Sequence, residues 1–314
     1  MDNIIIKNTS EGKIVPSFKP QIKSHSVLSP TQCDVPGNNK TVSDDFLRNK
    51  ANQIRKDIVE VAIRNGAGHI APSLSCVDIL TALYYRIMNI SRNPQWEERD
   101  RLVFSKAHGC YGLYAILADI GYIKREDWEN FYKGSFLSGC IERSIEHGIE
   151  ASCGSLGHGL PMAAGIAFGA KLQNKTYRIY SIVGDGEMQE GSNWEAVQFA
   201  VKHKLSNLTV IIDNNTLQAM DFLENVLTLE GRVDDLQRKI QAFGFEIITC
   251  DGHNIQEIVS TLEKWKEGTK NLSAPQVLIA NTIKGYGLRC MENVPKFHFR
   301  IPTAEELKMG SRYE

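Results

Sequence analysis

The residues best suited to chemistry lie in the run GDGEMQEG, Gly184 to Gly191, and in Asn214-Asn215-Thr216-Leu217. The first run follows the β-rich YRIYSIV and precedes the helical SNWEAVQFAVKHK; the second closes the β-rich NLTVIID. Glycines let a backbone approach a phosphate closely, a helix start offers oriented N–H groups, and Asp185 supplies a hard oxygen. Twenty-eight residues separate Gly186 from Asn215, enough for one helix and one strand, so Asp185 and Asn215 fall at neighbouring strand ends. An Asp, an Asn side-chain oxygen, a backbone carbonyl and two phosphate oxygens make a Mg²⁺ shell, because this ion takes few carboxylates and shares its coordination with phosphates. A lone Gly-Asp-Gly is equally an acidic turn that caps a helix, and the downstream Asn is what favours the metal.

Such a site needs elements to hold it. From Ser43, SDDFLRNKANQIRKDIVEVAIRNG has a capping Ser/Asp start, apolar residues at helical spacing and a closing Gly66, which predicts a helix. Further helical patterns run over Val77 to Met88, Tyr111 to Ile120, Leu160 to Leu172, Trp194 to His203, Val233 to Phe243 and Ile255 to Trp265. They alternate with β-rich runs at Arg101 to Phe104, Arg178 to Val183, Leu208 to Ile212, Phe245 to Thr249 and Gln276 to Ala280. This alternation predicts an α/β fold, a mostly parallel sheet flanked by helices on both faces, over residues 43–302. In open sheets of that kind ligands bind beyond the carboxyl ends of the strands. Residues 1–42, polar and holding four prolines, read as a flexible leader or a partner-binding arm, and residues 303–314 as a short helical tail.

Composition removes several classes of function. A formal charge of -1 gives no electrostatic reason to expect nucleic acid or an anionic membrane as partner. The seven cysteines are scattered, odd in number and without a C-x-x-C pair, which suits a reducing compartment and argues against a disulfide framework or a zinc site. The start, MDNIIIKNTSEGK, lacks the apolar core of a signal peptide, and Leu160 to Ala170 is too short to span a bilayer. The expectation is a cytoplasmic protein.

Seven segments in order then resemble the amino-terminal part of transketolases, from about Ile54 to Pro302. They are GAGHIAPSLSCVDILTALYY, DRLVFSKAHGCYGLYA, GIEASCGSLGHGLPMAAGIAFGAKL, GDGEMQEGSNWEA, NLTVIIDNNTLQ, GFEIITCDGHN, and ANTIKGYG with MENVPKFH. The resemblance implies a thiamine-diphosphate-binding fold. It implies Asp185, Asn215 and the Leu217 carbonyl as ligands of Mg, and Gly186, with Glu187 beside it, at the diphosphate. His108 is similar to the family's diphosphate-binding histidine, and Gly154-Ser155-Leu156 to the segment whose backbone touches the aminopyrimidine. His69 and His298 match histidines that face the reactive carbon and the donor sugar. Glu190 and Glu195 match acidic residues that link the two cofactor sites across the dimer, and Glu190 joins His69 and His298 as a catalytic candidate. Read without the resemblance, His69 is equally a polar residue near a helix start, His108 a helix cap, and GSLGHG a turn ahead of a packed helix.

The pattern breaks in two places near the substrate. Where the family has Gly-His-Pro, this chain has Gly139-Cys140-Ile141, and the family's His-Pro-Gly-Gly-Ser reads His69-Ile70-Ala71-Pro72-Ser73. Cys140 donates a poorer hydrogen bond than imidazole, so recognition of an ordinary ketose phosphate should weaken or change. After His298 the chain continues FRIP, where the family has glycine next.

After Pro302 nothing resembles the pyrimidine-binding domain of transketolases, with its catalytic glutamate. The resemblance therefore implies a two-chain enzyme, in which this subunit holds diphosphate and metal and a C-terminal transketolase subunit holds the pyrimidine, in an α₂β₂ heterotetramer. The expected reaction moves a two-carbon ketol unit from a ketose, such as a ketose phosphate, to an aldehyde. The alternatives are an oxoacid-decarboxylating or acyloin-forming component, a non-catalytic paralogue, and an unrelated nucleotide-binding α/β protein.

Overall fold

The computed structural model describes residues 42–66, 68–219, 221–226, 235–268 and 274–312, together with the backbone of two short strands, β1 (Ile5–Asn8) and β2 (Ile14–Ser17). These two pair antiparallel within the segment expected to be a leader. Apart from Val42, the rest of that segment lies outside the described residues.

Helix α1 (Asp44–Asn65) starts where the Ser43 hydroxyl accepts a 3.2 Å bond from the Phe46 amide, and ends at Gly66 with a left-handed φ of 73°. Both ends match the capping signals. Beyond it come α2 (Ile70–Leu74) and α3 (Val77–Ala82), the latter continuing as a π-turn over Leu83–Ile87. Two more helices, α4 (Cys110–Asp119) and α5 (Arg125–Glu129), complete the first half. Helix α2 is absent from the predicted elements: its five residues are all buried and include a proline, so it has no polar face to give a period.

Five strands, β3 (Arg101–Phe104), β4 (Ile179–Gly184), β5 (Leu208–Asn214), β6 (Glu246–Asp251) and β7 (Gln276–Asn281), form one sheet in the order β3-β4-β5-β7-β6. Every pairing is parallel. All six residues of β4 and the first six of β5 are buried, so side chains on both faces are covered, as parallel sheets require. The chain passes from β5 to the far edge to make β6, then returns to place β7 between them.

Helix α6 (Gly159–Leu172) lies on β3 and β4 and against α7 (Gly191–Lys202). Its buried positions are Gly159, Leu160, Ala163, Ala164, Ala167 and Ala170, and small residues let a helix sit close to a sheet. Helix α10 (Ile255–Glu267) buries Ile258, Val259, Leu262 and Trp265 against β6, α1 and α3. Two lesser helices, α8 (Leu223–Val226) and α9 (Asp235–Ala242), precede β6. Residues 303–312 hold a short helix and a bridge back to the turn at 287–288. After α11 (Ala304–Leu307), begun by a capping box at Thr303, Ser311 bridges Leu288 and the Arg312 amide donates to the Gly287 carbonyl at 2.9 Å. Residues 311–312 are thereby tied to the turn at 287–288.

Candidate active site

The loops that follow β3, β4, β5 and β7 meet in one place. In the sheet register Gly184 faces Asp213 and Asp213 faces Ala280, so the loops leaving β4, β5 and β7 start side by side. The Asp185 carboxylate accepts from the Gly186 amide at 2.7 Å and, across the gap between strands, from the Thr216 amide at 2.5 Å. Asn215 is buried and its side-chain oxygen accepts from the Leu217 amide at 3.1 Å. The strand tips expected to share a metal are thus joined directly.

Asp185 is buried, and among the described residues it forms no ion pair. Burial, then the nearby Asp213 carboxylate, raises its pKa to about 7. Asp213 itself is matched. Burial opposes its charge, but Lys106, Ser75 and Thr282 outweigh that and hold its pKa below the usual carboxylate range. Lys106 also donates to the Pro72 carbonyl at 2.7 Å and to Ser75 Oγ at 2.8 Å, so a fully buried ammonium has all three protons engaged. Asp185 is the carboxylate left needing a cation, and with Asn215 it forms a hard-oxygen donor set that fits Mg²⁺.

The second cluster is imidazole. His69 and His108 stack with centroids 4.2 Å apart and planes at 10°, and His298 stands edge-on to both. Lys284, buried in the loop after β7, bonds His298 Nδ1 at 3.0 Å, and His298 Nε2 lies 3.1 Å from His108 Nδ1. An ammonium only donates, so His298 accepts at Nδ1, carries its proton at Nε2 and donates it to His108. His108 is therefore left with an N–H at Nε2. His69 Nδ1 is buried with no hydrogen-bond partner, a polar orphan on the ring that stacks on His108.

Burial first, and then neighbouring positive groups, hold all three imidazoles neutral. The pKa of His69 falls to about 4, that of His298 to about 3, and that of His108 is also lowered. Burial and Lys106 likewise lower Lys284 to about 8. The three ring donors lie within 4.8 Å of one another, a spacing a transition metal would accept. The two ammonium groups oppose a cation there and favour an anionic ligand that takes N–H donors.

Gly68 shapes the approach of His69. Its φ is +133°, and a Cβ there would lie 1.8 Å from the Tyr111 hydroxyl oxygen, so only glycine admits this bend ahead of α2. The Gly154-Ser155-Leu156 segment is held from below. Gly157 donates to Glu187 Oε1 at 3.0 Å, Ser192 Oγ donates to the Gly157 carbonyl at 2.7 Å, and a Cβ on Gly157 would strike Glu190 at 2.5 Å.

Gly186 follows Asp185 in a turn of 3-10 helix, and a Cβ there would lie 3.0 Å from Gln218 Cβ. Glu187 is buried, and both its oxygens accept from protein donors: Ser105 Oγ, Gly157 N and Gly184 N. It braces the 154–157 loop against β3 and β4, with both oxygens accepting hydrogen bonds inside the fold. The Leu217 carbonyl, expected on the metal, receives Lys284 Nζ at 3.3 Å. Glu190 and Glu195 are exposed at the start of α7, and Cys140 is exposed against Gly154, whose Cβ would lie 3.3 Å from its own. Lys106, Asp213 and Lys284 were not expected at the site. Lys284 lies three residues past the end of β7, in the loop where the strand-end rule says to look.

The comparisons with known proteins show the family. Residues 47–310 match the family described as transketolase, thiamine diphosphate binding domain. An apulose-4-phosphate transketolase subunit from Actinobacillus succinogenes is 41% identical over 276 residues, covering 86% of this chain and 96% of that protein. A 6-deoxy-6-sulfo-D-fructose transketolase subunit, SqwG, from Clostridium sp. is 40% identical, covering 83% of this chain and 94% of its own length. The crystal structure of transketolase from Campylobacter jejuni superposes with a TM-score of 0.75 at 31% identity, over 85% of this chain and 42% of that one.

The chain belongs to the transketolase family, of which it is the thiamine diphosphate binding domain, and its class is that of a transferase subunit. It spans nearly the whole of these two relatives, and 42% of the Campylobacter transketolase chain. No helix among the described residues is long and apolar enough to cross a membrane.

Proposed function

We propose that this chain is the diphosphate- and Mg²⁺-holding subunit of a two-chain, cytoplasmic transketolase that moves a two-carbon ketol unit from a ketose to an aldehyde acceptor. The observation that carries the proposal is the bond from Thr216 to Asp185, which sets an uncompensated buried carboxylate and Asn215 together beside three neutral imidazoles and Lys284. Asp185 and Asn215 would hold the metal, with the Leu217 carbonyl as a third oxygen. His108 Nε2–H, Lys284 and the Gly186 amide would donate to the diphosphate. Bound there, thiamine diphosphate supplies the carbanion chemistry that a protein side chain lacks.

This chain's own residues bind, orient and exclude water. The relay from Lys284 through His298 fixes which nitrogen of His108 carries its proton. His69, neutral and unpartnered at Nδ1, and His298 would meet the hydroxyls of the donor, and the exposed Gly154-Leu156 loop would lie against the aminopyrimidine. Glu190 and Glu195 are exposed, as an interface would need. The catalytic carboxyl and the other half of the pocket would come from a C-terminal transketolase subunit, in an α₂β₂ assembly whose substrate is a small sugar.

The test is to co-express this chain with a candidate partner, load the complex with Mg²⁺ and thiamine diphosphate, and supply an aldehyde with either a ketose phosphate or pyruvate as donor. Product from the ketose phosphate supports ketol transfer. Product from pyruvate alone would make the chain an oxoacid-decarboxylating component.

A further inference from the structure

The turn Gly252-His253-Asn254 between β6 and α10 holds a buried imidazole that the reading above does not use. His253 Nε2 accepts a 2.8 Å hydrogen bond from the Ile283 amide, immediately before Lys284. A ring nitrogen that accepts from an amide carries no proton, so the proton sits on Nδ1 and points at Asp78 Oδ2, 2.8 Å away. Asp78 is buried and ion-paired with the buried Arg55, and Arg55 lies 4.8 Å over the ring of Tyr286, which stacks on His253 at 3.5 Å with planes 11° apart. The Gly285 amide donates to the Ala71 carbonyl of α2, and the Asn293 amide to the Lys284 carbonyl at 2.9 Å.

We infer that His253 is the positioning residue for Lys284: through the Ile283 amide it fixes the backbone from which that ammonium reaches the Leu217 and Gln218 carbonyls and His298. Lys284 has a long, flexible stem, and a lysine aims well only when its Cα is fixed. Asp78 and Arg55 hold the His253 tautomer, much as a carboxylate holds a metal-ligating histidine. The inference rests on the proposed diphosphate role of this site.

Two substitutions of similar size separate positioning from packing. Gln can place an acceptor near the Nε2 position and still reach Ile283, whereas Asn reaches only towards Asp78. Thiamine diphosphate with Mg²⁺ is titrated calorimetrically into the complex of full chain and partner. His253→Asn is expected to weaken binding about tenfold or more, the scale of losing an orienting outer hydrogen bond, with His253→Gln within about threefold of the parent. In a Lys284→Met background the difference between the two should vanish.

Equal affinity of His253→Asn and the parent, or an undiminished loss in the Lys284→Met background, overturns the inference. Failure of the parent complex to bind thiamine diphosphate at all sinks the proposed function instead. Hydrogen exchange gives a readout that needs no variant to fold. The Ile283 amide of the parent should be protected at least about tenfold, and free exchange there would remove the bond on which the inference stands.

Discussion

The Asp185 carboxylate, one residue past β4, accepts a 2.5 Å hydrogen bond from the amide of Thr216, two residues past β5. The bond crosses between parallel strands, and both hydrogen-bond donors to this carboxylate are neutral backbone amides. Thr216 has a left-handed φ of 61°, uncommon for a β-branched residue, so the turn that aims this amide holds local strain.

The consequence is a dependence of stability on pH whose sign can be worked out. With a folded pKa of about 7 against an unfolded value near 3.8, the native chain binds more protons than the unfolded chain between those limits. Stability from this group therefore falls as pH rises through the window. Asp185→Asn should raise the denaturation midpoint of the metal-free chain at pH 8, leave it nearly unchanged at pH 4, and abolish any gain from Mg²⁺ with thiamine diphosphate. A midpoint at pH 8 that drops on substitution would show the carboxylate to be stabilising and the metal argument to be wrong.

The imidazoles act in the opposite sense. Histidines whose folded pKa values lie near 4 and 3, below the ordinary 6.5, are protonated more readily in the unfolded chain, so their contribution is present above about 6.5 and lost as pH falls. Replacing His69 and His298 together by Asn should flatten the acid side of the stability profile between about pH 3 and 6.5. The check is urea unfolding at half-unit pH intervals, and an unchanged slope would mean the two rings are solvated.

Lys106 and Asp213 make a different prediction, because their charges are already matched. Asp213→Ala would leave a buried ammonium unpaired and strip acceptors from Ser75 and Thr282, a loss of about 3–5 kcal/mol. Adding Lys106→Met should recover a large part of that loss. Thermal melts of the two variants decide it. A double variant no more stable than the single one would show that the pair is not the unit of stabilisation.

Strand boundaries were legible to within two residues because buried parallel strands are short apolar runs closed by polar residues or glycine. Asp185 and Asn215 were legible because each ends such a run, with one helix between them. Lys284 was not, for a topological reason. Nothing local in NTIKGYG says that β7 returns to pair with β5 across the place that β6 skipped, and only that insertion brings Lys284 to the Leu217 carbonyl. The histidine trio was reached by resemblance alone, since residues 69, 108 and 298 share no periodicity. Glu187 has a role that the sequence did not show: Ser105 and two amides engage this acid within the fold, so it ties the glycine-rich loop to its neighbours.

Cys140 sits on the exposed rim, with its Cβ and Sγ 3.3 and 3.4 Å from where a Cβ on Gly154 would lie, and the paired amides of Ile141 and Cys153 lock the two segments together. The thiol is a weak donor, so Cys140→Ala should move KM for a ketose donor less than about threefold. Cys140→His adds a real donor at the same place and should lower KM for a ketose phosphate by about tenfold, roughly one good hydrogen bond, with kcat little altered. Cofactor affinity should stay within about twofold, since position 140 is exposed and is not among the residues that would hold the diphosphate or the metal. Steady-state kinetics on the reconstituted pair separate the cases. A tenfold fall in kcat for Cys140→Ala would mean that the thiol acts in the chemical step, and a loss of cofactor in Cys140→His would mean that position 140 presses on the Gly154 loop instead of facing the sugar.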